Sequence, residues 1–204
     1  TRALLEELDA WTAEHWPGAR RRLWWGAQDY RSASAVPFAG ELPHGGGRIW
    51  AATGYGGWGM TNAVASAVRV SSAMFGRSPA WADELAHHAA GWASIISAVR
   101  DNAEVAGRLV SGWTRAETAR GDGPPAEGEG RVVADGVRPV AESTVNGVTC
   151  RVSGVCTHLG GVIAWNDAER SWDCPLHGSR FRPDGSLIEG PAVDDLPTAD
   201  PDRG

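Results

Sequence analysis

Two short pairs of cysteine and histidine constrain this chain more than any other feature. One residue separates Cys156 from His158, two residues separate Cys174 from His177, and fifteen lie between His158 and Cys174. Glycine follows each histidine within two residues, as is typical of tight turns. Thiolate sulfur and imidazole nitrogen are both ligands for transition metals. The chain is therefore predicted to fold so that two turns meet around one four-ligand metal site.

Two kinds of metal centre use two cysteines and two histidines. Structural zinc binds such a set tetrahedrally, and a [2Fe–2S] cluster can take the cysteines on one iron and the histidines on the other. Zinc fingers usually draw a Cys-Cys pair from one side and a His-His pair from the other. Here each turn supplies one ligand of each type. The spacing favours the cluster, and structural zinc is the alternative.

The segments Cys-Thr-His-Leu-Gly and Cys-Pro-Leu-His-Gly-Ser closely resemble the Rieske family of iron–sulfur proteins. The resemblance implies that Cys156 and Cys174 bind one iron as thiolates, and that His158 and His177 bind the other iron. It also implies that one of these histidines is the exposed tip through which electrons leave. Because imidazole is neutral where thiolate is charged, such a cluster is easier to reduce than a four-cysteine cluster.

The second half of the chain is predicted to be a small all-β domain. Its apolar residues alternate with polar ones, which is the period of strands, and Asn146-Gly147 is a strong hairpin signal. The third cysteine, Cys150, is expected to be a small buried side chain in a strand. Residues 121–130 are rich in Gly, Pro and charge, and are predicted to be an interdomain linker with nothing that can be buried. The predicted strands are 131–133, 137–145, 148–152, 162–165, 171–173 and 187–188.

The first half is predicted to be mainly helical, because its apolar residues recur every three to four positions. Helices are expected over 1–15, 60–75 and 81–119, and short strands over 22–25 and 49–52. The fold class is therefore α+β, with a helical portion followed by the small all-β domain.

A glycine-rich run over residues 52–61 connects a predicted strand to a predicted helix, whose first N–H groups face the turn. Its sequence, Ala-Thr-Gly-Tyr-Gly-Gly-Trp-Gly-Met-Thr, resembles the flavin-contacting C-terminal segment of the D-amino acid oxidase-like family of FAD-dependent oxidoreductases. In one branch of that family a Rieske domain follows the flavin domain. The resemblance implies that FAD lies against Gly54, Tyr55, Gly57, Trp58, Gly59, Met60 and Thr61.

That family binds the ADP part of FAD on an N-terminal unit with a Gly-x-Gly-x-x-Gly motif. In these 204 residues this spacing occurs at Gly54–Gly59, within the run just described, and not in an N-terminal unit that precedes it. The chain also begins with Thr. It is therefore expected to be the C-terminal part of a longer flavin–Rieske protein and to bind FAD poorly by itself. The expected organisation is an incomplete FAD-dependent oxidoreductase segment (1–80), a helical connection (81–120), the linker (121–130) and a Rieske domain (131–200).

The predicted function is electron transfer by a component of a flavin-dependent oxidoreductase, with a flavin domain or a redox protein as partner. This chain alone is expected to transfer electrons without catalysing a reaction. The alternatives are a stand-alone Rieske ferredoxin-like carrier and a zinc-stabilised interaction module. The net charge of −6 argues against nucleic acid as a partner, and no apolar run is long enough to span a membrane. A cytoplasmic location is expected.

The cluster is predicted to have a lower midpoint potential than respiratory Rieske centres. Rieske proteins of the cytochrome complexes carry a disulfide at the positions of Gly161 and Leu176, and a tyrosine at that of Phe181. Fewer hydrogen bonds to the cluster sulfurs lower the potential, although Ser179 is retained. A redox titration that gave a midpoint above about +200 mV would contradict this expectation.

Overall fold

The computed structural model describes residues 2–42, 44–85 and 92–199. The chain divides into two compact units, one of Ala27–Ala103 and one that combines Thr1–Gly26 with Glu104–Gly204. Part of the predicted helical stretch, residues 86–91, lies outside the described residues. No helix in the part of the chain that the structure describes is long and apolar enough to cross a membrane.

The unit of residues 27–103 contains a small sheet and the helix that follows it. Strand β1 (Phe38–Glu41) pairs antiparallel with β2 (Trp50–Thr53), and α2 (Gly59–Met74) comes next, then a 3-10 helix over Ala80–Leu85. The α2 bounds agree with the helix predicted over 60–75, and β2 lies close to the strand predicted over 49–52. Strand β1 was not predicted because proline precedes it and Gly40 lies within it, and both residues lower strand propensity.

The other unit contains two antiparallel sheets and two helical segments. Helix α1 covers Arg2–His15, and α3 (Trp92–Thr118) contributes its later residues. One sheet has the strand order β3-β4-β5 and the other β6-β7-β8-β9. These strands are β3 Gly130–Asp135, β4 Arg138–Val145, β5 Val148–Ser153, β6 Ala164–Asn166, β7 Ser171–Asp173, β8 Arg180–Phe181 and β9 Leu187–Glu189.

The β4–β5 hairpin forms as its sequence predicts. Asn146 and Gly147 have φ of 54° and 74°, which is the left-handed conformation that a two-residue hairpin turn requires. The carboxylate of Glu127 accepts hydrogen bonds from both of their backbone N–H groups, at 2.8 and 2.9 Å. These bonds, from Gly147 first and Asn146 second, lower the pKa of Glu127. The register of the sheet is thereby fixed from both sides of the turn.

Aromatic side chains fill the core between the two sheets. Trp172 and Phe181 are fully buried and face each other across β7 and β8. Trp165 on β6 packs edge to face on Trp172, with 4.8 Å between the ring centroids. Cys156 and Cys174 belong to the same buried cluster, so the core reaches directly to the predicted ligands. Cys150 is only half-buried: it lies on the same face of β5 as the buried Val152, between that residue and the exposed Val148 at the turn.

The strand predicted over residues 22–25 is wrong. Residues 19–30 contain no strand in the structure. Leu23, Trp24 and Trp25 instead line an apolar pocket with Leu5 and Leu8 of α1. The apolar run therefore faces a helix, and it has no neighbouring strand to form a hydrogen-bonded ladder.

The prediction that nothing in residues 121–130 can be buried is also wrong. Pro125 and Gly128 are buried. The Gly128 N–H donates to the Thr144 carbonyl at 2.8 Å, and the Gly128 carbonyl accepts from the Trp165 indole at 3.1 Å. Because its backbone polar groups are satisfied by the β domain, this segment lies in the same compact unit as that domain.

One arginine joins the strands that flank the second predicted ligand turn. Arg180 on β8 is 13% exposed and forms an ion pair with Glu169. Its Nε lies 3.3 Å from the Asp173 carboxylate, and its Nη1 lies 3.9 Å from that of Glu189. A single guanidinium therefore lies between three carboxylates, from β7, β9 and the β6–β7 turn.

We expect Arg180→Met to lower the free energy of unfolding by about 3 kcal/mol, because it leaves three acidic groups together without their cation. Urea unfolding followed by circular dichroism measures the change. Arg182→Met is the matched control, since Arg182 is exposed and its guanidinium donates to the hydroxyl of the turn residue Ser186 at 3.4 Å. Equal losses in the two variants would contradict the expected role of Arg180.

Candidate metal centre

The four predicted ligands lie on two loops with the same backbone closure. Loop 1, residues 156–161, follows β5, and loop 2, residues 174–179, joins β7 to β8. In loop 1 the Cys156 N–H donates to the Gly161 carbonyl at 2.8 Å, and the Gly160 N–H donates to the Cys156 carbonyl at 3.1 Å. In loop 2 the Cys174 N–H donates to the Ser179 carbonyl at 2.8 Å, and the Gly178 N–H donates to the Cys174 carbonyl at 2.9 Å.

Glycine is required at the turn of each loop. Gly160 and Gly178 have φ of 72° and 78°, a conformation that other residues rarely adopt. At Gly161 the reason is space, because an added Cβ would lie 2.6 Å from Leu176 Cδ1 and 3.1 Å from Cys174 Sγ. The backbone of loop 1 thus comes directly against a sulfur of loop 2.

The loops bring the two cysteine sulfurs together. Cys156 is 2% exposed and Cys174 is 4% exposed. The hydrogen bond between their sulfurs lowers the pKa of Cys156 to about 5 and raises the pKa of Cys174. Because metals bind cysteine as the thiolate, metal binding would release any proton that this pair holds.

Hydrogen-bond donors surround both sulfurs. The His158 N–H donates to the Cys156 sulfur, and the N–H groups of Leu176 and His177 donate to the Cys174 sulfur. The fully buried Ser179 hydroxyl donates to the Cys156 sulfur and accepts from the Ala192 N–H at 2.9 Å. Such donors stabilise thiolate ligands and tune the metal that they bind.

The two histidines form a second pair. Their ring centroids are 5.2 Å apart and the rings are nearly perpendicular. His158 is exposed and His177 is half-buried. The Nδ1 atom of His177 is buried and has no hydrogen-bond partner among the described residues. A buried nitrogen without a partner fits a metal ligand, because coordination would satisfy its lone pair.

The grouping of these donors distinguishes the two metal centres. In residues 2–42, 44–85 and 92–199, no three His, Cys, Asp or Glu side chains are grouped as ligands of one ion. The sulfurs form one pair and the imidazoles another. A tetrahedral zinc site needs all four donors around one point. Two separate pairs fit a two-iron cluster with cysteines on one iron and histidines on the other.

The structure places the seven predicted flavin-contacting residues in one continuous turn between β2 and α2. Gly54 and Gly57 have positive φ, of 80° and 83°. Trp58 is the N-cap of α2 and is 70% exposed, and Met60 in its first turn is 92% exposed. Flavin contact by Gly54, Tyr55, Gly57, Trp58, Gly59, Met60 and Thr61 stays a prediction.

Sequence reasoning missed one side chain that contacts a ligand loop. The indole N–H of Trp113, on α3, donates to the Gly160 carbonyl of loop 1 at 3.1 Å. Trp113 continues the apolar period of its helix, so the sequence marks it as a packing residue. No short-range pattern indicates a contact across 47 residues.

Comparison with known proteins agrees with this geometry. Residues 127–200 match the family described as the Rieske [2Fe–2S] domain. YhfW of Bacillus subtilis (strain 168), which is named as a Rieske 2Fe–2S iron–sulfur protein, is 34% identical over 184 residues. That match covers 88% of this chain but only 35% of YhfW, so the chain spans about a third of that relative.

Matches to other Rieske proteins are shorter. The cytochrome b6-f complex iron–sulfur subunit 3 of Nostoc sp. (strain PCC 7120) is 54% identical over 37 residues, which is 18% of this chain and 21% of that subunit. The solved plasma membrane Rieske protein PetC3 of Synechocystis PCC 6803 aligns with 32% identity and a TM-score of 0.32, over 34% of this chain and 72% of that one. On the family match, residues 127–200 of this chain are a Rieske [2Fe–2S] electron-transfer domain.

Proposed function

We propose that this chain is the electron-transfer component of a longer oxidoreductase. The observation that carries the proposal is the separation of the ligands into a buried cysteine pair and a histidine pair with one exposed ring. A [2Fe–2S] cluster held there supplies one-electron chemistry. Cys156 and Cys174 would hold one iron, and His158 and His177 the other.

The exposure of the ligands indicates at which edge of the cluster an electron is exchanged with a partner. The cysteines are buried within the aromatic core, while His158 is exposed and His177 is half-buried. The histidine edge is therefore where a redox partner can approach the cluster most closely. The buried cysteine edge keeps solvent from the sulfurs and preserves the hydrogen bonds from Ser179 and the backbone.

We further propose that the donor is a flavin bound partly by the turn at residues 54–61. The resemblance of this turn to a flavin-contacting segment supports this. The similarity to YhfW also extends before the Rieske match at residues 127–200, so the preceding part of the chain accompanies a Rieske domain in that relative as well. A flavin accepts two electrons as hydride and can release them singly, so a one-electron cluster in the same protein is chemically suited to it.

The cluster is tested by metal content and spectroscopy of the purified, reconstituted chain. We expect about two irons and two sulfides per chain, and an EPR signal after reduction. Cys156→Ser should abolish both, whereas Cys150→Ser should retain them because Cys150 lies outside the ligand loops. A chain that binds one zinc and no sulfide would contradict the proposal.

Ser179→Ala is expected to lower the midpoint potential while the cluster stays bound. The substitution removes a hydroxyl that donates to the Cys156 sulfur, and fewer donors stabilise the reduced cluster less. The expected decrease is on the order of 60 mV, which is a tenfold change for a one-electron couple. Ser186→Ala is the control, since that hydroxyl bonds to Asp184 in an exposed turn. Unchanged potential in Ser179→Ala would contradict the assignment.

Flavin binding is tested in the chain expressed together with whatever sequence its gene encodes before Thr1. Gly57→Ala is expected to reduce FAD content at least tenfold and leave iron content unchanged, because a methyl group would project from the glycine-rich turn. Gly76→Ala controls for backbone strain, since Gly76 also has positive φ and lies at the other end of α2. Brown protein without flavin absorbance would favour a stand-alone ferredoxin-like carrier.

A further inference from the structure

Helix α3 reaches the cluster domain from outside the segment that matches the Rieske family. The helix ends at Thr118, and the match begins at residue 127. Near its end, the Trp113 indole donates to the Gly160 carbonyl at 3.1 Å. At the preceding residue, Gly112, an added Cβ would lie 3.3 Å from Val162 Cβ. Two successive residues of α3 therefore contact loop 1 and the residue just beyond it.

The neighbouring part of this interface contains a cavity. This largely apolar cavity of about 280 Å³ lies between α3 and the sheets, and one side of it is lined by the buried Ala116 of α3 and by Ala119 just beyond the helix end. Pro175 of loop 2 and Trp165 line the opposite side. Gly112 and Trp113 are the residues through which this part of α3 reaches Val162 and loop 1.

The carbonyl that Trp113 holds belongs to the peptide next to the sulfurs. Gly160 bonds through its N–H to the Cys156 carbonyl, and its carbonyl is joined to Gly161. Gly161 has no room for a Cβ, because that atom would lie 3.1 Å from Cys174 Sγ. Since a peptide is planar, fixing the Gly160 carbonyl also fixes the direction of the Gly161 N–H. The hydrogen bond from Trp113 thus fixes the orientation of the Gly160–Gly161 peptide beside the Cys174 sulfur.

We propose that Trp113 is a positioning residue for the iron–sulfur cluster, supplied by a helix outside the Rieske-matched segment. It acts through Gly160, which holds the conformation of the loop that carries Cys156 and His158. The indole donates a hydrogen bond to a loop carbonyl, so its effect is on how firmly that loop retains iron. The inference rests on the proposed cluster.

Trp113→Phe tests this role, because it keeps an aromatic ring and removes the N–H donor. We expect iron release to a chelator to become about ten- to a hundredfold faster, the usual cost of removing a residue that supports a metal ligand. The EPR spectrum of the reduced cluster should broaden as loop 1 samples more conformations. In the metal-free chain, amide exchange of residues 156–161 should accelerate.

Trp165→Phe is the matched control. It also removes an indole N–H that donates to a glycine carbonyl at 3.1 Å, but the acceptor is Gly128, outside both ligand loops. We expect its iron release, EPR spectrum and loop 1 exchange to match the wild type within twofold. Equal acceleration in both variants would overturn the inference, because it would reflect general loosening of the domain.

Gly112→Leu provides a second variant if Trp113→Phe does not fold. Leucine raises helix propensity, but its side chain must displace α3 from Val162. Faster iron release from a more helical protein supports the positioning role, and unchanged release overturns it. Wild-type protein without iron or sulfide would instead refute the cluster itself, so the two failures are distinguishable.

Discussion

The structure depends on holding two sulfur atoms side by side in a protein interior. Cys156 and Cys174 are both buried, and a metal that bound them would hold both as thiolates. Two charged sulfurs inside an apolar core are costly unless hydrogen-bond donors surround them. Two loops with the same closure meet this need with backbone N–H groups and one buried serine hydroxyl. The aromatic core and the ion pairs of Arg180 keep those donors in place.

The segment that contains Ala192 and Asp194 is hydrogen-bonded to both loops. The Ala192 N–H donates to the Ser179 hydroxyl of loop 2, and the Thr157 hydroxyl of loop 1 donates to the Asp194 carbonyl at 2.8 Å. One short stretch without regular secondary structure is thus bonded to both loops. The sheets determine where each loop starts and ends, and this stretch restrains their separation.

The chemistry of the site was predictable because it depends on local spacing. The Asn146-Gly147 turn forms the predicted hairpin, and the Cys-x-His and Cys-x2-His pairs lie on two loops closed by the same backbone hydrogen bonds. That these four residues bind the cluster stays a prediction. The errors arose where distant residues decide the outcome. Residues 22–25 face α1 instead of a strand. In the segment 121–130, the backbone N–H and carbonyl of Gly128 are hydrogen-bonded to Thr144 and Trp165. The contact of Trp113 with loop 1 has no local signal for the same reason.

Phe181 illustrates how the fold limits the electronics of the cluster. Its ring is fully buried opposite Trp172, two residues after the serine that donates to a cysteine sulfur. A hydroxyl group on that ring would be buried, and it would cost about 1–3 kcal/mol unless a cluster sulfur accepted its hydrogen bond. A tyrosine at this position would therefore raise the potential and keep the domain stable only if its hydroxyl reached a sulfur, so the same contact would link stability to cluster binding.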